Sequence, residues 1–395
     1  MGAGQEVMEP QALCYDRSCK TSSCPVQARG RILRMSKETR LARVIAFYLP
    51  QYHPIPENDE WWGRGFTEWT NVARAKPMFR GHYQPHVPAD LGFYDLRVPE
   101  TRRAQADMAR EYGVEAFCYW HYWFAGRRII ERPFDEVLKG GEPDFPFCLG
   151  WANQTWSGIW HGNPDHILIE QTYPGTDDHV AHFEAILPAF EDPRYFRVEG
   201  RPLFHVFKPR AIPELRSFTD LWRELARRAG LPGLYLVGEE FRPWDPIEWG
   251  FDAACYAGLP SLRGWEPWYR PIARLKWEWW KWKGLPSVYD YADLCEDLIR
   301  EQLGSPPDKR RHPCLIPNWD NTPRSGRNGR VLHGSSPELF RRQIRLALSL
   351  VADVPFERRI VFIKSWNEWA EGNHLEPDMR FGHGYLRVLM EEMTR

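Results

Sequence analysis

Short apolar runs recur along the chain from residue 44, and most are followed by a stretch of helical period. Runs at 44–49, 114–119, 145–149, 202–207, 234–237, 251–256, 313–317 and 360–365 read as eight buried strands. Pro99 opens a helix with Ala104, Met108 and Tyr112 on one face, ending at Gly113. Phe183, Ile186, Leu187 and Phe190 mark a second helix, and Phe218, Leu221, Trp222 and Leu225 a third, stopped by Gly230. Ser336 caps a fourth, with Pro337 in its first turn and Phe340, Ile344, Ala347 and Val351 on its face; a last amphipathic helix covers about 384–393. Eight strands, mostly followed by helices, predict a (β/α)8 TIM barrel. A doubly wound sheet is the rival, but no G-x-G-x-x-G follows the first strand.

Polar and aromatic residues gather where these strands end, and that rim carries the catalytic groups of such barrels. The loop from 51 to about 97 is long, lacks a periodic element, and holds Tyr52, His53, Trp61, Glu68, Trp69 and Asn71. His121 and Tyr122 follow the second strand, Asn153 and Trp156 the third, and Trp319 and Asn321 the seventh. All are expected to line one pocket.

The last strand leads into the candidate catalytic stretch, where Glu368 and Glu371 stand three residues apart among Trp366, Asn367, Trp369 and Gly372. A helical turn there puts both acids on one face, with Cβ atoms roughly 5–6 Å apart. That is near the roughly 5–5.5 Å carboxyl separation of retaining glycosidases. An indole wall raises the pKa of a neighbouring acid while its partner stays ionised, which gives one acid and one base. Glu371 is expected to be the raised one, with Asn367, Trp366 and Trp369 holding Glu368 in place.

Composition narrows the picture. The formal net charge of −1 gives no reason to expect a nucleic acid or an anionic membrane as partner. No apolar run approaches 18 residues, and the N-terminus lacks a basic region followed by an apolar one. Of eight cysteines, Cys118, Cys148, Cys255 and Cys314 lie in apolar runs, so a reducing, cytoplasmic compartment is expected. Cys14, Cys19 and Cys24 do not match zinc-ligand spacing, nor do the His and Cys positions near the rim, so neither metal nor cofactor is expected. Twenty tryptophans exceed what a core needs and suit a cleft in which sugar faces stack on indoles. Residues 1–40 read as a flexible extension and 41–395 as one catalytic barrel. Residues 258–311, with six tryptophans among Lys and Arg, form an insertion expected to act as a lid.

Three segments carry a resemblance: Phe47-Tyr-Leu-Pro-Gln-Tyr-His-Pro54; Trp61-Trp62 with Gly65-Phe-Thr-Glu-Trp-Thr-Asn71; and Ser365-Trp-Asn-Glu-Trp-Ala-Glu-Gly372. They resemble the WbsX-like family, described as glycosyltransferases of lipopolysaccharide O-antigen gene clusters. The last segment and the barrel are remotely similar to glycoside hydrolase family 99, the endo-α-1,2-mannosidases. That resemblance implies retention through a 1,2-anhydro sugar, with Glu368 taking the proton of the sugar 2-OH and Glu371 as general acid/base. It also implies an α-mannose-like or α-rhamnose-like unit of a bacterial polysaccharide as substrate. The expectation is therefore a retaining glycoside hydrolase, with a glycosyltransferase and a catalytically silent glycan-binding barrel as alternatives.

Overall fold

The computed structural model describes residues 40–158, 163–239, 245–256, 280, 282–304 and 306–394. The expected extension 1–40 lies outside these except for Arg40, and so do residues 258–279, 281 and 305 of the Trp-rich insertion.

Eight parallel strands form the barrel: β1 Arg43–Tyr48, β2 Ala116–His121, β3 Phe147–Trp151, β4 Arg201–Val206, β5 Tyr235–Glu239, β6 Ala253–Cys255, β7 and β8 Ile360–Ile363. β7 is interrupted. Its first part, Arg311–His312, pairs with β6, and its second part, Cys314–Leu315, pairs with β8. Pro313 between them has no N–H for a ladder, but its carbonyl accepts the Phe362 N–H at 2.9 Å. Since β8 pairs in turn with β1, the strand order follows the chain and closes on itself.

The periodic stretches read from sequence are helices on the outside: Pro99–Glu111, Thr176–Glu191, Leu215–Arg228, Pro337–Val351 and Gly384–Met393. Ser336 caps its helix as expected, its hydroxyl accepting the Leu339 N–H at 3.3 Å. Arg132–Gly140, with Phe134, Val137 and Leu138 on one face, is a further helix that is not among those expected from the sequence. Among the described residues between β5 and β6 there is a single turn, Ile247–Trp249.

Two differences matter for the site. β2 and β3 begin and end two residues later than their apolar runs suggest, so Trp120, His121 and Trp151 are strand residues. Val114 and Glu115 are used before β2 starts, Val114 N–H closing the preceding helix on Ala109 and Glu115 N–H bonding Val44. The loop after β1 is also not structureless: it holds helices Pro56–Trp62 and Glu68–Arg74. The core inside the barrel is aromatic, with Phe47 stacked on Trp120 at 4.6 Å and on Phe362 at 5.3 Å. Gly150 on β3 makes room for this packing. A Cβ there would stand 3.3 Å from the Trp120 ring and 3.2 Å from the Cys118 sulfur. Among the described residues, no helix is long and apolar enough to cross a membrane.

Candidate active site

The turn that carries the acids begins as β8 ends. Ser365 Oγ accepts the N–H groups of Asn367 (3.0 Å) and Glu368 (2.8 Å), which folds the backbone over the barrel mouth. Asn367 then behaves as an extra rung of β1: its side chain accepts the Leu49 N–H at 2.8 Å and donates to the Leu49 carbonyl at 3.1 Å. Tyr52 ties the same turn, donating to the Asn367 carbonyl at 2.6 Å and accepting the Trp369 N–H at 2.9 Å. The chain runs through a 3₁₀ turn, Trp369–Glu371, and returns so that Asn367–Glu368 pairs with Asn373–His374. In a 3₁₀ turn residues i and i+3 eclipse, so Glu368 and Glu371 do face the same way. Gly372 makes the return possible. Its φ is 51°, and a Cβ there would lie 2.8 Å from Asp320 Cβ.

The two carboxyl groups hydrogen-bond each other, and their surroundings differ. Glu368 is pushed up to about 8, first by burial and then by the charge of Glu371 and their hydrogen bond. Trp120 Nε1 donates to its Oε1 at 3.2 Å. Burial also raises Glu371, but the charge of Arg324, the Glu368 hydrogen bond and Lys364 outweigh it and hold Glu371 below the usual carboxylate range. Arg324 Nη1 donates to Glu371 at 2.6 Å, while its Nε donates to Glu68 at 2.9 Å. The raised acid is therefore Glu368 and not Glu371. The indoles counted as its wall face elsewhere, and a cation from the loop after β7 settles the charge. Lys364, also buried, is lowered by desolvation, but Glu239, Glu368 and Glu371 raise it further, so it stays charged. The site is thus a one-proton carboxyl pair between two cations.

The pair opens on a cavity of about 330 Å³ at the C-terminal ends of the strands. Tyr122, Trp156, Trp319 and Asn321 line it as expected. Glu68 and Asn71 line an adjoining compartment of about 240 Å³, which shares Gln51, Gln154 and Trp156 with the first. Trp61 packs edge-on against Trp156 at 6.0 Å.

The other expected residues are buried in the supporting wall and line neither cavity. Tyr52 and Asn367 hold the turn. Trp366 is fully buried. Trp369 stacks on His374 at 3.8 Å and donates to Glu376 at 2.7 Å, and Trp69 donates to the Tyr94 carbonyl at 2.7 Å. His53 is buried, which drives its pKa down to about 4. His121 hydrogen-bonds His182 at 2.9 Å, and Asn153 holds the Lys208 backbone at 2.7 and 2.8 Å. Conversely, Trp120, Gln51, Gln154, Arg324 and Lys364 line the cavity without having been singled out. Trp120 follows a predicted strand and Lys364 lies near the end of one, a usable signal; nothing local marks Arg324.

The family described as "Glycosyltransferase WbsX" matches residues 44–389. "Uncharacterized protein WxcX" of Xanthomonas campestris pv. campestris (strain B100) is 41% identical over 360 residues, covering 91% of this chain and 50% of that protein. The same protein of strain ATCC 33913 is equally similar. This chain thus spans about half the length of the curated relatives it matches. Among solved structures, a "Glycoside hydrolase-like protein" superposes with a TM-score of 0.56 at 14% identity, over 93% of this chain and 98% of that one. A GH99 endo-alpha-mannosidase from Bacteroides thetaiotaomicron gives a TM-score of 0.48 at 16% identity, over 89% and 96%. At such identities the likeness concerns the fold.

Proposed function

The chain belongs to the WbsX glycosyltransferase family, and we propose that its Glu368–Glu371 pair cleaves an α-linked mannose-like or rhamnose-like glycoside of a bacterial polysaccharide with retention. One observation supports this above the rest. Two mutually hydrogen-bonded carboxyl groups, one buried and one half-buried, displaced in opposite directions in pKa, face an aromatic-walled cavity. Such a pair holds one proton at neutral pH, and one proton with two carboxylates is what acetal cleavage needs.

On the route implied by the resemblance, Glu368 takes the proton of the sugar 2-OH and O2 attacks C1. The bond from C1 to the leaving oxygen breaks, and that oxygen takes a proton from Glu371. Water then opens the 1,2-anhydro sugar at C1, returning a proton to Glu371 while Glu368 gives its proton back to O2. Since the resting proton lies on Glu368, the first event on this route is its transfer along the mutual hydrogen bond to Glu371. The Trp120 N–H and Lys364 favour the ionised Glu368 that results.

The 2-OH tests this. Aryl α-mannosides and α-rhamnosides are expected to turn over without a nucleotide sugar, and their 2-deoxy analogues to bind without reacting. Normal turnover of the 2-deoxy analogue, or a trapped glycosyl ester on Glu368, would exclude the anhydro route. The second reading, a transferase of O-antigen assembly, is favoured by the family's description. It requires that turnover appear only when a nucleotide-sugar or lipid-linked donor is added.

A further inference from the structure

Below the catalytic turn the returning chain meets the loop after β1 at His86, His374 and Asp378, all buried. His86 Nδ1 stands 2.8 Å from His374 Nε2, which stands 3.9 Å from Asp378 Oδ2. One donor atom from each residue lies within 4.8 Å of the others. Each group is oriented from behind. His374 Nδ1 faces the Glu376 carbonyl oxygen at 2.9 Å, so it carries the hydrogen and Nε2 presents its lone pair to the cluster. Asp378 Oδ1 accepts the N–H groups of Arg380 (3.0 Å) and Phe381 (2.6 Å), which leaves Oδ2 facing inward. The Tyr83 hydroxyl meets that Oδ2 at 3.1 Å, and the Tyr83 ring stacks on His86 at 4.2 Å.

A hydrogen bond from His86 to His374 explains one of these contacts. The Tyr83 hydroxyl accounts for a second by donating to Asp378 Oδ2, but that oxygen and the His374 Nε2 lone pair still face each other 3.9 Å apart, an arrangement that a cation between them would favour. Two donors at ~2.0–2.1 Å from a tetrahedral zinc stand ~3.3 Å apart, and the 2.8 and 3.9 Å separations bracket that value. Tyr83 and His86 also border a cavity of about 140 Å³, which supplies an entry path.

We propose that His86 Nδ1, His374 Nε2 and Asp378 Oδ2 bind a single divalent ion of the zinc type, with water or the Tyr83 hydroxyl as fourth ligand. The role is structural. The ion ties residue 86 of the first loop to the segment behind Glu368 and Glu371, through the His374 ring stacked on Trp369. His86 lies 288 residues from His374, so no local spacing announces the full set. The inference is independent of the reaction assigned above.

The experiment uses the full chain and a Cys14→Ser/Cys19→Ser/Cys24→Ser variant, since those thiols are the other ready zinc ligands. Each is stripped with chelator, loaded with zinc sulfate, desalted and assayed for metal per chain. One zinc per chain is expected in both, with a rise in melting temperature on loading. His86→Gln is expected to weaken retention by more than about 100-fold. Loading the cysteine variant with Co(II) is expected to give visible d–d bands without thiolate charge transfer, a readout that needs no histidine variant to fold. The proposal is overturned if the cysteine variant retains no zinc, if folded His86→Gln retains it unchanged, or if the cobalt spectrum shows sulfur ligation.

Discussion

Glu368 and Glu371 differ by one guanidinium. Arg324 donates to Glu371 at 2.6 Å and is the main influence holding it down, whereas burial and the charge of Glu371 push Glu368 up, which decides which acid keeps the proton. The pH dependence follows. With the proton on the pair and Lys364 and Arg324 charged, kcat/KM is expected to be flat across neutral pH. It falls above about 8, where the pair loses its proton. It falls again only below the ordinary carboxylate range, where Glu371 takes up a second proton. Arg324→Gln removes the main influence holding Glu371 down, so its acidic limb moves to higher pH, and Arg324→Lys restores it in part. A residue that only packed would change the rate without moving the limb. Because Glu68 and Glu371 are then left facing each other, Arg324→Gln should also cost about 3–5 kcal/mol of stability. At this scale the sequence is half legible. An acid pair among indoles at the end of a buried strand marks the turn proposed to be catalytic. Which indoles face the cavity depends on a 3₁₀ turn and a hairpin return that no local pattern encodes, so Trp366 and Trp369 read as ligands when they are wall.

The elements were legible where the apolar runs were long. All eight strands and five of the outer helices fall where periodicity puts them. The errors of two residues at β2 and β3 come from helix ends and prolines that use backbone groups ahead of the strand. Such a shift has consequences in a barrel, because it moves Trp120 from a loop onto a strand whose side chains reach Glu368. The turn after β8 supplies the prediction at this scale. Gly372→Ala places a methyl 2.9 Å from the Asp320 carbonyl oxygen in a backbone conformation of φ 51°. A destabilisation of about 1–3 kcal/mol is expected in urea unfolding, together with loss of turnover, since Glu371 is the preceding residue. Gly382→Ala is the control. It has φ 52° but nothing within 4 Å of the added carbon, so it should show the conformational cost alone and leave turnover intact.

Across the whole molecule, the closed barrel brings the ends of six strands to one mouth, and the loops after β1, β3 and β7 raise walls around it. The result is two adjoining compartments, with the acids in the larger one and Trp156 on the boundary. That division predicts how the protein treats chain length. A monosaccharide with an aryl leaving group needs only the compartment holding Glu368 and Glu371. An oligosaccharide extending past Trp156 also occupies the space lined by Trp62, Glu68, Asn71 and Lys208. Stacking on an indole is worth about 0.5–1.5 kcal/mol beyond area burial, roughly threefold to tenfold in affinity. Trp156→Ala should therefore raise KM for the oligosaccharide by about that factor, with a smaller change for the aryl monosaccharide. Equal losses on both substrates would mean that Trp156 supports only the catalytic compartment. The second space would then take no sugar, since a ring held there must cross the face of this indole to join the one being cleaved.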